Sequence, residues 1–361
     1  MLFCKNDQIR FMINNQTGLI LLNLGSPDSP SVPDVRKYLS EFLMDERVID
    51  IPFVLRIMLV RGIIVPFRAP KSAKAYQTIW TKEGSPLKVI SENFKSGLQQ
   101  KTKMPVSLAM RYGSPSPKVA LDDLLSKVSN LKTILLAPMY PHYAMSSYET
   151  AIEQMTAYIK KIGSKAEIRI LKPFYKEPQY IEALAASIKP YLNKQTYDGY
   201  LFSYHGLPVR HLKKSDTTGT HCYVTGQCCE VASKAWDTCY KHQVKITTKL
   251  VGEKLGIAPD KIHLTFQSRL AGDKWLQPYT DIALEELPKN GTKKLLVICP
   301  AFVADCLETL EEMDDRGKEI FMHHGGELYT RVPCMNTNDE WVKTVADYCN
   351  GYNTTHAALW L

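Results

Sequence analysis

Ile134-Leu135-Leu136-Ala137-Pro138, with Glu149-Thr150 after it, is echoed about 160 residues later by Leu296-Val297-Ile298-Cys299-Pro300, with Glu308-Thr309 after it. Each is a short apolar run closed by proline, too short for a buried helix and bounded as a buried strand is. The echo continues: Ile170-Leu171-Lys172-Pro173 and Thr330-Arg331-Val332-Pro333 each lead into a stretch of helical period. Strand-like runs at 18–24, 106–110, 133–137, 167–171, 199–204, 262–266, 294–299 and 327–332 alternate with helical stretches such as 91–100, 148–162 and 231–255. Apolar strands separated by helices imply parallel sheets covered on both faces. The expected fold is α/β, with two similar doubly wound domains built on four-stranded parallel sheets and a cleft between them. The expected division is 1–176 plus a returning 338–361, and 177–337. Ligands of such sheets sit beyond the carboxyl ends of the strands.

The bulk properties narrow the function classes. The chain has 361 residues, 45% hydrophobic and 23% charged, with a net charge of +8. That length suits two domains. The basic residues are scattered, so nucleic acid is not expected as a partner. Residues 1–16 lack the apolar core and small-residue cleavage site of a secretory signal, and nine cysteines without such a signal point to reduced thiols or metal ligation. A cytoplasmic location follows as the expectation. The most apolar stretch, 48–67, is interrupted by Asp50, Arg56, Arg61 and two prolines and fails as a membrane span. It reads either as a core helix or as a greasy lip meeting an apolar ligand or the surface of the inner membrane.

Chemistry concentrates past the strand ends. In Ser203-Tyr204-His205-Gly206-Leu207-Pro208, the glycine and proline make a turn that leaves the His205 imidazole in the cleft, able to accept a proton or bind a metal. In Pro300-Ala301-Phe302-Val303-Ala304-Asp305-Cys306-Leu307-Glu308, a carboxylate follows the strand, and α-helical spacing puts Asp305, Glu308, Glu312 and Asp315 on one face. Such a row can pass protons or a hard divalent cation. Gly25, after Leu24, permits close approach of a flat ligand. Tyr76, Trp80, Tyr112, Tyr140, Tyr143 and Phe302 together line a slot for a planar apolar ligand, with Arg68, Lys71 and Arg111 to pair its carboxylates.

These residues resemble the ferrochelatases over nearly the whole chain, from about Gly18 to Tyr348. The carriers are LLNLGSP (21–27), FRAPK (67–71), EGSPL (83–87), MRYGSPS (110–116), MYPHY (139–143), FSYHGLP (202–208), FQSRLAGDKWLQPYTD (266–281) and PAFVADCLETLEEMD (300–314). The resemblance implies ferrous iron and protoporphyrin IX as substrates, with His205 and Glu308 converging on the macrocycle from opposite halves and Asp305 in their polar network. It implies Leu24, Arg68, Tyr76, Ser85, Arg111, Tyr112, Tyr143 and Phe302 as substrate-binding residues. The family often has histidine where Cys306 stands here. His205 is the expected acceptor of pyrrole protons, and the opposite role, as iron donor, stays open.

Cys222, Cys228, Cys229 and Cys239 form an insert after the HGLP strand. It is similar to the segment that binds a [2Fe–2S] cluster in some bacterial ferrochelatases, although Val244 stands where a further cysteine is expected. Zinc and free thiols are the alternatives. Two other functions compete with ferrochelatase: a non-catalytic tetrapyrrole or metal carrier, and a chelatase for another tetrapyrrole such as coproporphyrin III. Monomer and homodimer are equally compatible with the sequence.

Overall fold

The computed structural model describes residues 16–223, 226–270 and 272–361, so the reading of the extreme N-terminus lies outside the described residues. It contains two four-stranded, all-parallel sheets. The first orders β2-β1-β3-β4, with β1 Thr17–Ser26, β2 Val106–Gly113, β3 Thr133–Pro138 and β4 Glu167–Ile170. The second orders β6-β5-β7-β8, with β5 Gly199–His205, β6 Ile262–Gln267, β7 Lys294–Ile298 and β8 Leu328–Arg331. The orders are equivalent, as the sequence echo requires, and the α/β class with two similar doubly wound halves is as expected.

The chain divides into two compact units. One runs up to Met139 and takes in Ser146–Lys172 and Val342–Leu361; the other holds Tyr140–Met145 and Pro173–Trp341. Within the first, the C-terminal segment returns to the sheet: Leu171 bridges to Trp360, and the Trp360 indole donates to the Tyr348 carbonyl at 3.1 Å. Within the second, Leu201, Leu295, Val297, Met313 and Phe321 form a closed apolar cluster under the sheet. The central strands β1, β3, β5 and β7 are buried almost throughout, which is why they read as unbroken apolar runs.

Three helical readings change. The 231–255 stretch is not one helix. A short 3₁₀ turn, Lys234–Asp237, precedes a break, and the helix begins at Tyr240 and ends at Leu255. The acidic segment Glu308–Gly317 is a π-helix, with i→i+5 bonding in place of i→i+4. The apolar stretch 48–67 is not a core helix. It runs through Phe53–Ile57, a π-helical Met58–Ile64 and the start of Val65–Ile79, and leaves Phe53, Val54, Leu55, Met58, Ile63 and Phe67 exposed. No helix among the described residues is long and apolar enough to cross a membrane.

Candidate active site

His205 is the last residue of β5, half-buried, at the carboxyl edge of the second sheet. Its Nδ1 lies 2.7 Å from the Gly206 carbonyl. A carbonyl only accepts, so Nδ1 carries the proton and Nε2 keeps its lone pair. The Phe302 ring packs edge-on, 6.4 Å between centroids. Glycine is required next in the chain: the Gly206 N–H donates to the Gln267 carbonyl at 2.7 Å, and a Cβ there would fall 2.8 Å from that oxygen.

Gln267, the last residue of β6, is buried and joins three segments. Its Oε1 accepts from Ser203 Oγ at 2.6 Å, and its Nε2 donates to the Glu308 carbonyl at 3.1 Å. Ser268 follows with φ +67°, and both its N–H and its hydroxyl donate to the Glu312 carboxylate, the N–H at 2.9 Å. Burial pushes the Glu312 carboxyl up, and Glu308 adds to that; Ser268, Arg316 and the imidazolium form of His205 oppose it. His205, Glu308 and Glu312 therefore share one electrostatic neighbourhood. The Cys306 thiol is buried and hydrogen-bonds the Glu308 side chain; burial first, then the Glu308 charge, keeps it well above the usual thiol range.

Asp305 does something other than line a row. It is buried, and its Oδ1 accepts from Arg331 Nη1 and Thr309 Oγ1, both at 2.8 Å, while Oδ2 accepts from Asn336 at 2.7 Å. Burial alone would raise this carboxyl; Arg331, Asn336 and Thr309 outweigh it and hold it below the usual range. Asp315 is exposed, and Glu311 pairs with Arg316 at 2.9 Å, five residues on. The acidic row from 305 to 315 is thus reduced to Glu308 and Glu312: Asp305 precedes the π-helix and is taken by Arg331 and Asn336, and Asp315 faces solvent.

His205 and Glu308 do not come from opposite halves. Both belong to the second unit, His205 closing β5 and Glu308 following its neighbour β7. Tyr143 and Phe302 are also in that unit. The Tyr143 N–H donates to Gln243 Oε1 at 2.7 Å. His142, in the same MYPHY segment, is fully buried against Thr247 at 2.9 Å, and burial lowers it to about 3, so it is a neutral core residue.

The remaining substrate candidates lie in the first unit. Leu24 is half-buried near the end of β1, ahead of Gly25, which has φ +105° and whose Cβ would meet the Tyr112 carbonyl at 1.9 Å. Ser85 is buried on Ser26 at 2.7 Å, Tyr76 is buried edge-on to Tyr38 and Trp80, and Arg68 is half-buried. Arg111 is committed: Nε to Thr150 at 2.7 Å, one Nη to Asp45 and the other to Gln154 at 2.7 Å with the amide turned. Tyr112 is fully buried, its hydroxyl on Asp45 at 2.8 Å. A cleft of about 530 Å³ opens beside this network, lined by Lys37, Glu41, Asp45, Arg61, Arg111 and Gln154 among others. Gln267, Ser268, Arg331 and Asp45 were not singled out from sequence. The first two stand in the quoted 266–281 block; Asp45 and Arg331 carry no local signal.

The four insert cysteines come together. The Cys239 thiol hydrogen-bonds those of Cys222 and Cys229, and the Tyr223 N–H reaches Cys228 Sγ at 3.5 Å. Burial and Asp216 push the Cys222 thiol up to about 11. All eight cysteines among the described residues are free, and no three metal-binding side chains among these residues are arranged as a formed metal cage.

The ferrochelatase family model matches residues 16–351. The ferrochelatase of Opitutus terrae is 48% identical over 332 residues, 91% of this chain and 95% of that one. That of Pseudomonas fluorescens (strain Pf0-1) is 48% identical over 333 residues, 92% and 96% of the two chains. The chain belongs to the ferrochelatase family. It is an enzyme, a metal chelatase of haem biosynthesis. Among solved structures, SirB from Bacillus subtilis with Fe³⁺ shares the fold at a TM-score of 0.53 and 11% identity, covering 95% of this chain and 97% of that one.

The Asp305–Arg331 pair makes a prediction. Arg331→Met leaves a buried carboxylate without its cation and is expected to cost roughly 3–5 kcal/mol at pH 7. In the native protein the Asp305 carboxyl lies below its unfolded value of about 3.9, so its contribution is present above that pH and fades as pH falls through the lower folded value. In the variant the carboxyl rises, so the deficit should shrink on acidification. Urea unfolding at pH 7 and pH 4.5 measures both, and an equal deficit at the two values would contradict the pairing.

Proposed function

We propose that the protein inserts ferrous iron into protoporphyrin IX, giving protohaem and releasing the two pyrrole protons. The observation that carries this is the His205 imidazole, its Nδ1 proton committed to the Gly206 carbonyl and its Nε2 open, in the same electrostatic neighbourhood as Glu308 and Glu312. The roles divide by chemistry. Nε2 of His205 takes a pyrrole proton, since imidazole is basic enough at neutral pH and need not stay charged. Glu308 and Glu312 are hard oxygen donors that lead iron in and protons out. Asp305, tied to Arg331, anchors the start of that helix. A flat macrocycle hides its nitrogen lone pairs in its plane, so a slot that bends it exposes them at a strain of roughly 1–5 kcal/mol. Leu24, Arg68, Tyr76, Ser85, Arg111, Tyr112, Tyr143 and Phe302 are proposed as the substrate-binding residues, with Tyr76, Ser85, Arg111 and Tyr112 acting from buried or committed positions. LLNLGSP resembles the protoporphyrin branch of the family and not the branch with tyrosine where Leu24 stands, which favours protoporphyrin over coproporphyrin III.

The cysteine insert suits a [2Fe–2S] cluster by donor type. Cys222, Cys228, Cys229 and Cys239 supply four free thiols, three of them buried and three of them joined by thiol–thiol hydrogen bonds. Those residues would hold it, and it would supply a redox-active structural link within the insert. The exposed apolar residues Phe53, Val54, Leu55, Met58, Ile63 and Phe67 lie along a segment that also carries exposed Arg61 and half-buried Arg68. Apolar side chains beside a cation suit the surface of an anionic bilayer, which supports the reading of a cytoplasmic enzyme peripheral at the inner membrane.

Each part has its measurement. In anaerobic insertion assays with both porphyrins, protoporphyrin should turn over faster. His205→Ala should abolish insertion and keep porphyrin binding, and Glu308→Gln should lose orders of magnitude in kcat; binding without turnover in the native protein would make it a carrier. The protein as purified should show a red-brown spectrum bleached by dithionite and absent in Cys239→Ser; a colourless preparation containing zinc would replace the cluster by zinc. Sedimentation with vesicles containing anionic lipid should pull down the native protein, and Phe53→Ser/Phe67→Ser should reduce it severalfold. Equal recovery of the two would remove the membrane from the proposal.

A further inference from the structure

The peptide that follows His205 is held from both sides. On one side the Gly206 N–H donates to the Gln267 carbonyl at 2.7 Å, as a continuation of the β5–β6 ladder. On the other side of the same peptide stands the His205 carbonyl. It accepts from the hydroxyl of Tyr240 at 3.0 Å. The imidazole is itself tied to the next carbonyl through Nδ1. The first peptide fixes the His205 backbone and leads into the second, whose carbonyl holds Nδ1, so its orientation bears on the direction of Nε2, and Tyr240 is the side chain that holds it.

Tyr240 is suited to that task. Its phenol is fully buried, and burial, then Tyr204, drives its ionisation far above the ordinary value, so it stays a neutral donor at any working pH. Its ring packs edge-on to His142, 5.9 Å between centroids. It opens the 240–255 helix, directly after Cys239, whose carbonyl accepts from the Gln243 N–H at 3.0 Å. Gln243 in turn donates to the Trp236 and Asp237 carbonyls at 3.3 and 2.9 Å. The helix start is thus rigidly seated, and a rigidly seated donor can orient what it binds.

We infer that Tyr240 is a positioning residue for the reaction: its hydroxyl holds the His205 carbonyl and so aims the imidazole at the substrate. This rests on the proton-accepting role of His205 and deepens it. It also makes the junction between the cysteine insert and the 240–255 helix part of the active site's support.

Tyr204 provides the control. It is equally buried, and its hydroxyl pairs with Thr248 Oγ1 at 2.8 Å without touching the histidine. Tyr240→Phe is expected to lower kcat about tenfold, as small misplacements of a reacting group do, with porphyrin binding within about twofold of native. Tyr204→Phe, matched by urea unfolding, should keep more than half of kcat. Site-specific 3-fluorotyrosine at 240 retains the donor and should keep native kcat. It should also move the His205 ring resonance while leaving that of His263 in place, which carries the test if Tyr240→Phe does not fold. Equal losses in both phenylalanine variants, native kcat in Tyr240→Phe, or an unmoved His205 resonance would overturn the inference. His205→Ala separates the two readings: if it turns over normally, the role of the histidine fails, and if it is dead while Tyr240→Phe is native, only the positioning fails.

Discussion

The amide of Gln267 is the interaction on which the catalytic edge depends. It takes a hydrogen bond from Ser203 in β5 and gives one to the Glu308 carbonyl, while its own backbone carbonyl receives the Gly206 N–H. Three chain segments far apart in sequence are fixed by one buried residue. Parallel strands end on the same side, so β5, β6 and β7 deliver His205, Gln267 and the approach to Glu308 to a common edge. A buried amide has few ways to satisfy all its groups, and here oxygen and nitrogen are both used. Loss of either bond would leave a buried polar atom unpaired, which stabilises this arrangement against alternatives.

The π-helix does the second part of the work. An α-helix would have presented four carboxylates in one stripe, at a repulsive cost for each neighbouring pair. The wider turn keeps Glu308 and Glu312 near His205 while Glu311 is neutralised by Arg316 and Asp315 faces solvent. Ser268 accepts a left-handed backbone to place two donors on Glu312. Backbone strain of this kind costs about 1–3 kcal/mol and persists where surrounding structure enforces it. Asp305 supplies that enforcement from the other end, because its bonds to Arg331 and Asn336 seat the start of the helix.

The sheets were legible in the sequence because buried parallel strands leave a plain trace. Every strand-like run became a strand, and the echo between Ile134–Pro138 and Leu296–Pro300 became equivalent places in two equivalent sheets. The places of His205 and Glu308 at and beyond the ends of neighbouring strands were legible through the turn residues and strand runs beside them. The rest failed for identifiable reasons. The face of the acidic segment was read with the α-helical period, and nothing in ETLEEMDDRG announces the wider turn. Val231–Leu255 was read as continuous because no proline or glycine marks the break before Tyr240. Asp45 and Arg331 act only through partners distant in the chain, Arg111 and Asp305, which a single sequence does not connect. Exposure of 48–67 could not be read from its composition, since a core helix and a surface helix with unburied apolar residues share it.

Cys306 shows how the two kinds of reading meet. By resemblance, its position is often histidine, which suggests a relay that this chain lacks. The structure gives the thiol a different task, since a buried, protonated sulfur that hydrogen-bonds the Glu308 side chain is a donor and not a base. A thiol held neutral beside a carboxylate steadies its orientation and takes no proton from the porphyrin. On the proposed role of His205, proton acceptance then falls to its Nε2 and to the carboxylates of the π-helix, and more depends on the aim of one imidazole.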